Sequence, residues 1–349
     1  MRAVIYKGPQ DIVLEERPMP TIGPKDVLVK NMRTGICGTD TSAYMRGGDD
    51  LSIFPGNEIG HEFVSEVVEV GAEVDDERIT PGLRVWVEPL KSKRLGEGRP
   101  RLEISTSAGG MSQYISIHDA AIDYNLFPLP DAVSWDQGVI VEPFSVANHG
   151  VNIARPKPGE RALIYGAGAI GLGVLANLRA KGIEDVVVCD VVQKRLDVVA
   201  KMGGIPVDAN EIQPLEFVLD RFGSVEDMLA NPKPDVDMFF DAAGAPHALQ
   251  DYIRGGKPDS RMVVIAVSAA TNTVEIPQSA FVMSELNILG SMAFTPTDIK
   301  EVIDYIATGT YDPTPVITHH FAQEDAAKAL ETAAKNKDQT IKVVVDVHP

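Results

Sequence analysis

The run Gly166-Ala167-Gly168-Ala169-Ile170-Gly171 follows four apolar residues, Ala162–Tyr165, and leads into a helical pattern over 172–181. A strand that turns through G-x-G-x-x-G into a helix constrains the fold tightly, because each glycine has a task. Gly166 permits the tight turn, Gly168 lets the backbone approach a pyrophosphate, and Gly171 lets helix and strand pack closely. Ala169 and Ile170 complete the opening of the helix, where free N–H groups and a positive dipole suit phosphate. Asp190 closes the next apolar run, VVVCD, about 20 residues after the motif, where a carboxylate accepts hydrogen bonds from ribose hydroxyls and repels a 2′-phosphate. NAD is therefore expected in preference to NADP, with Lys194 and Arg195 near enough to blur the preference.

A helical pattern over 194–202 and apolar runs at 238–240 and 262–267 continue the alternation to about residue 289. This predicts an α/β fold, a Rossmann doubly wound parallel sheet, over 151–289. The first 150 residues differ: short β-type runs at 27–30, 64–70 and 84–87 are punctuated by Gly and Pro, so 1–150 reads as a separate β-rich domain. Residues 341–345 are again strand-like, and 290–349 read as a return to that first domain. Two segments stand apart. Residues 91–101 form a basic, cysteine-free loop, and 210–234 make a long connection between two strands of the parallel sheet, either a surface excursion or an oligomer contact.

Fifty acidic against 32 basic residues give a formal charge of -18, which repels phosphate backbones and anionic lipid and makes nucleic acid and membrane poor partners. No apolar run reaches the roughly 18 residues of a spanning helix. With two cysteines and a strand-like MRAVIYKGPQ start, a cytoplasmic protein is expected.

Three further motifs carry chemistry. Cys37 sits in Gly35-Ile36-Cys37-Gly38-Thr39-Asp40, His61 and Glu62 in Gly60-His61-Glu62, and Glu142 in Val141-Glu142-Pro143. Thiolate, imidazole and carboxylate donors suit Zn²⁺, and three protein ligands leave a position for water or alcohol. Taken singly each has a plainer reading: a core cysteine, a hydrogen-bonded histidine, an acid favoured at a helix start. Together, beside a dinucleotide turn, they read as a metal site.

With these motifs and the terminal I-K-V-V-V, the chain resembles the zinc-containing medium-chain dehydrogenases over essentially its whole length. The resemblance implies a GroES-like catalytic domain built from the N-terminal part and the tail, a Rossmann domain between, and a catalytic zinc in the interdomain cleft. It is similar to the polyol, butanediol and threonine dehydrogenase group, where a glutamate replaces a cysteine ligand. Glu142 matches that glutamate, and Glu62 and Glu142 each become a ligand, direct or through water. The implied reaction moves hydride between a secondary alcohol, of a vicinal diol, polyol or sugar-like substrate, and NAD, with Thr39 receiving the proton; the family assembles as homodimers or homotetramers. Departures matter too. Relatives carry a four-cysteine structural zinc in the loop where 91–101 has no cysteine, so one catalytic zinc and no structural zinc is expected. Ser42 stands where relatives have a relay histidine, and Ala293 where sorbitol dehydrogenases have an arginine. Tyr44 and Phe294 are either pocket or core aromatics. The competing readings are a zinc-free quinone or enoyl reductase of the same superfamily and a non-catalytic NAD-binding protein.

Overall fold

The computed structural model describes residues 1–51, 53–89, 108–267 and 273–348. The basic 91–101 loop lies outside them. The chain divides into two compact units, one of residues 1–142, 306–308 and 317–349, the other of 143–305 and 309–316.

The first unit is built on a seven-stranded sheet in the order Ile317–Ala322, Lys342–Asp346, Val27–Gly35, Glu62–Val70, Arg84–Val87, Leu126–Pro128, with Tyr114–Ile117 also pairing on Val27–Gly35. Seven of the nine residues of Val27–Gly35 are buried, which fits a central strand covered on both faces. Its register fixes the later argument: Gly35 pairs with Glu62 on one side and with Val344 on the other. The tail strand Lys342–Asp346 thus lies beside the strand that leads to Cys37. Helix Gly38–Arg46 packs into a core that includes Tyr6, Ile36, Ala43, Ile59, Leu330 and Val343. Tyr44 belongs to that core at 6% exposure, so it is a packing aromatic. Phe294, in the second unit, is half-buried.

The second unit holds six parallel strands in the order Ile205–Asp208, Val186–Asp190, Ala162–Tyr165, Met238–Asp241, Arg261–Val264, Asn287–Gly290. In chain order this is 3-2-1-4-5-6, the arrangement of a dinucleotide-binding sheet. All five residues of Val186–Asp190 are buried, as a strand covered on both faces requires. The helix after the glycine turn spans Ala169–Ala180, starting earlier than the apolar pattern because its first residues face out of the core. The strand within 262–267 ends at Val264, and Val267 is 97% exposed.

The 210–234 connection folds into helix Pro214–Phe222 and a small antiparallel hairpin, Ser224–Glu226 with Pro232–Pro234. Asp227 closes its tip by accepting from the Leu229 and Asn231 backbone N–H groups at 2.9 Å. A cavity of 1490 Å³ lies at the N-terminal ends of the strands, lined by Glu160, Asp237, Arg261 and Asn287 among others. Ligands of such sheets bind at the opposite, C-terminal ends, where the glycine turn is. Among the described residues no helix is long and apolar enough to cross a membrane.

Candidate metal centre and dinucleotide turn

Cys37 ends the turn after Val27–Gly35 and, in an extended conformation, caps helix Gly38–Arg46. Its backbone N–H donates to Asp40 Oδ2 at 2.9 Å, so the Asp40 carboxylate holds the helix start, and the Cys37 thiol hydrogen-bonds to His61. His61 and Glu62 lead into the neighbouring strand Glu62–Val70. A ligand atom from each of Cys37, His61 and Glu62 lies within 4.8 Å of the others. Glu142 is outside this set of three; it stands in the first turn of helix Val141–Ala154, and its carboxyl acts on the others through charge.

Two side chains to which the sequence assigns no role complete the surroundings. Asp40, 3% exposed, presents Oδ1 to His61 Nδ1 at 3.8 Å. Lys342, also 3% exposed, donates to Glu62 Oε1 at 2.8 Å, to Glu62 Oε2, and to the Ile36 carbonyl at 3.1 Å. A clue to Lys342 was present: a lone charge in the apolar run I-K-V-V-V must find a partner if that strand is buried.

The electrostatics of this pocket favour an added cation. Burial pushes the Asp40 carboxyl up, and burial and then the Glu62 charge push Glu142 up to about 8. For His61 burial works downward, but Asp40 and Cys37 outweigh it and hold the imidazole well above its ordinary value. Lys342 is raised in the same way, burial being overcome by Glu62 and Cys37. The two acids resist ionising chiefly because they are buried, whereas His61 and Lys342 keep their protons despite burial because acidic groups crowd them. Asp40, Glu62, Glu88 and Glu142 are all buried here. Three buried atoms here also lack hydrogen-bond partners among the described residues: Thr39 Oγ1, Asp40 Oδ1 and His61 Nδ1. A sulfur, an imidazole and carboxylates with surplus negative charge fit a zinc ion.

In the glycine turn of the second unit each glycine meets a different local demand. Gly166 has φ of +97°, the left-handed region that favours glycine. A Cβ on Gly171 would stand 1.8 Å from the Gly166 carbonyl oxygen, so the helix can approach the turn only with glycine there. Gly168 caps the helix, and a Cβ on it would meet nothing within 4 Å. Ala169 and Ile170 follow, both half-buried. Asp190 accepts from Ala167 N–H at 2.7 Å, Val191 N–H at 2.8 Å and Val192 N–H at 2.9 Å, and Arg195 Nη1 lies 3.7 Å from its Oδ2. The carboxylate that would read a ribose thus also ties the turn to the next strand. Cys189 beside it is inert: burial pushes its thiol up to about 12.

Residues 169–308 match the zinc-binding dehydrogenase family and 23–131 the alcohol dehydrogenase GroES-like domain. Over 359 residues the chain is 30% identical to sorbitol dehydrogenase of Rattus norvegicus, covering 99% of this chain and 96% of that protein. The chain belongs to the zinc-dependent medium-chain dehydrogenases. Within them it is 29% identical to Sorbitol dehydrogenase 1 of Saccharomyces cerevisiae, covering 98% and 97% of the two chains. The crystal structure of 2R,3R-butanediol dehydrogenase from Bacillus subtilis superimposes with a TM-score of 0.83 at 26% identity over 99% of each chain. This dehydrogenase therefore has the expected Rossmann sheet and GroES-like unit.

Proposed function

We propose that this dehydrogenase uses NAD to oxidise a secondary hydroxyl of a vicinal diol or polyol at a single zinc held by Cys37, His61 and a carboxylate shell of Glu62 and Glu142. The observation that carries this reading is the set of half-buried Cys37 with buried His61 and Glu62, amid more acidic than basic groups. When bound, zinc supplies Lewis acidity that lowers a hydroxyl pKa, and NAD supplies the hydride acceptor.

The chain's own residues then have separable tasks. Asp40 Oδ1 lies 3.8 Å from His61 Nδ1, so Nε2 is the ring nitrogen that would hold the metal. Thr39 Oγ1, a buried atom with no hydrogen-bond partner among the described residues, relays the proton: it accepts one from the substrate hydroxyl as it passes its own on toward solvent. In the dinucleotide-binding unit, Gly166, Gly168, Ala169, Ile170 and Gly171 would cradle the pyrophosphate, while Asp190 and Arg195 would hold the adenosine ribose. A carboxylate-rich metal shell suits a substrate with a second hydroxyl, and the sorbitol and butanediol dehydrogenases among the relatives point the same way. Assembly into dimers or tetramers is supported by the exposed apolar side chains of Val282 and Met292, which flank the sheet-edge strand Asn287–Gly290 in sequence. A free thiol at Cys37 suits a reducing, cytoplasmic setting.

The test is an NAD-reduction screen over butanediols, sorbitol, xylitol, erythritol, threonine and simple alcohols, repeated with NADP and after chelation. Diols or polyols should reduce NAD faster than NADP, activity should vanish on chelation, and elemental analysis should find one zinc per chain. Activity that survives removal of all metal would favour the zinc-free reductase, and inactivity across the panel with zinc present would favour a non-catalytic protein. The native mass should be two or four chains.

A further inference from the structure

Gly35 is buried at the end of strand Val27–Gly35, and its φ lies outside the left-handed region, so backbone freedom does not account for a glycine there. Glycine at a buried strand position weakens the strand and often marks a close approach. The approach here comes from the metal site. A Cβ on Gly35 would stand 2.3 Å from Glu62 Oε2, 3.3 Å from Glu62 Cβ and 3.3 Å from Lys342 Cδ.

The register explains the crowding. Gly35 pairs with Glu62 on one side and with Val344 on the other, and Lys342 lies two residues before Val344. To reach Lys342 the Glu62 side chain passes over the middle strand, above Gly35. A carboxylate at the end of a flexible side chain normally yields to a methyl group at little cost. This one cannot move without leaving Lys342, which engages both of its oxygens while donating to the Ile36 carbonyl.

We propose that Gly35 is a positioning residue of the metal centre: its missing side chain is the seat that lets Glu62 pass to Lys342, and so fixes the carboxylate beside Cys37 and His61. The inference rests on the metal-centre reading, but its first measurement needs neither metal nor substrate, so the two fail separately.

The experiment is a double-mutant cycle of Gly35→Ala and Glu62→Asp, read first as thermal stability of the metal-free protein. In the native background Glu62→Asp pulls the carboxylate short of Lys342 and lowers stability. In the Gly35→Ala background the carboxylate is already displaced, and the shorter Asp clears the new methyl group, so the two losses are strongly less than additive. The second reading is Co²⁺ affinity, followed by the thiolate-to-cobalt absorption of Cys37. Gly35→Ala should weaken it about tenfold or more, the range for residues that orient ligands. Additive stability losses, or unchanged cobalt affinity in folded Gly35→Ala, overturn the proposal. If Gly35→Ala fails to fold, recovery of folding in the double variant supports the proposal, and failure of the double variant as well overturns it.

Discussion

Cys37→Ala is expected to abolish metal retention and lower kcat/KM by about a thousandfold or more while leaving the fold intact. The expected size follows from the several kcal/mol that Lewis-acid stabilisation contributes, at about 1.4 kcal/mol per tenfold in rate. The fold should survive because two bonds at the helix start use Cys37 backbone groups: its N–H donates to Asp40 Oδ2, and its carbonyl accepts from Thr41 N–H at 3.2 Å, while a thiol is a weak acceptor in the capping box. Alanine preserves both bonds and removes only the sulfur. The variant should keep its circular dichroism and lose its zinc on dialysis, as measured by elemental analysis. Retained zinc with near-native turnover would mean that the Cys37 sulfur is no ligand and that the metal sits elsewhere.

The parts of this molecule legible in its sequence are those that local chemistry encodes. The glycine turn needs positive φ at Gly166 and a close approach at Gly171, and both needs are written within six residues. Strands such as Val186–Asp190 announce themselves as short apolar runs because they are covered on both faces. The donor types of Cys37 and His61, which the fold brings within 4.8 Å of each other and of Glu62, are likewise visible from their motifs. Contacts across the chain are another matter. Lys342 meets Glu62 across 280 residues, and no periodicity links them. Asp40 is part of the C-G-T-D motif, but its direction toward His61 arises only when the helix start and the neighbouring strand are packed together. Gly35 has no turn chemistry at all; its reason lies in a side chain from the adjacent strand.

Lys342→Met is the substitution expected to damage stability most. It leaves Glu62, 1% exposed, without its cation and beside Glu142, in a pocket that already carries surplus negative charge. Removing one partner of a buried ion pair typically costs about 3–5 kcal/mol, because the remaining charge is stranded. Methionine follows much of the lysine stem, so the loss would come from charge rather than from a cavity. The exposed pair Lys335 and Glu331, at 42% and 52% side-chain exposure, is the control: Lys335→Met should leave stability nearly unchanged, because solvent screens the pair. Two measurements separate stranded charge from general disruption. Glu62→Gln in the Lys342→Met background removes the charge and should restore part of the lost stability. Added zinc should raise the melting temperature of Lys342→Met by more than that of the native protein, since the metal would then offset a carboxylate that lysine no longer neutralises. A Lys342→Met protein as stable as the native one, or one that zinc and Glu62→Gln leave unimproved, would show that Lys342 is a packing residue and that the charge of Glu62 is balanced by other groups.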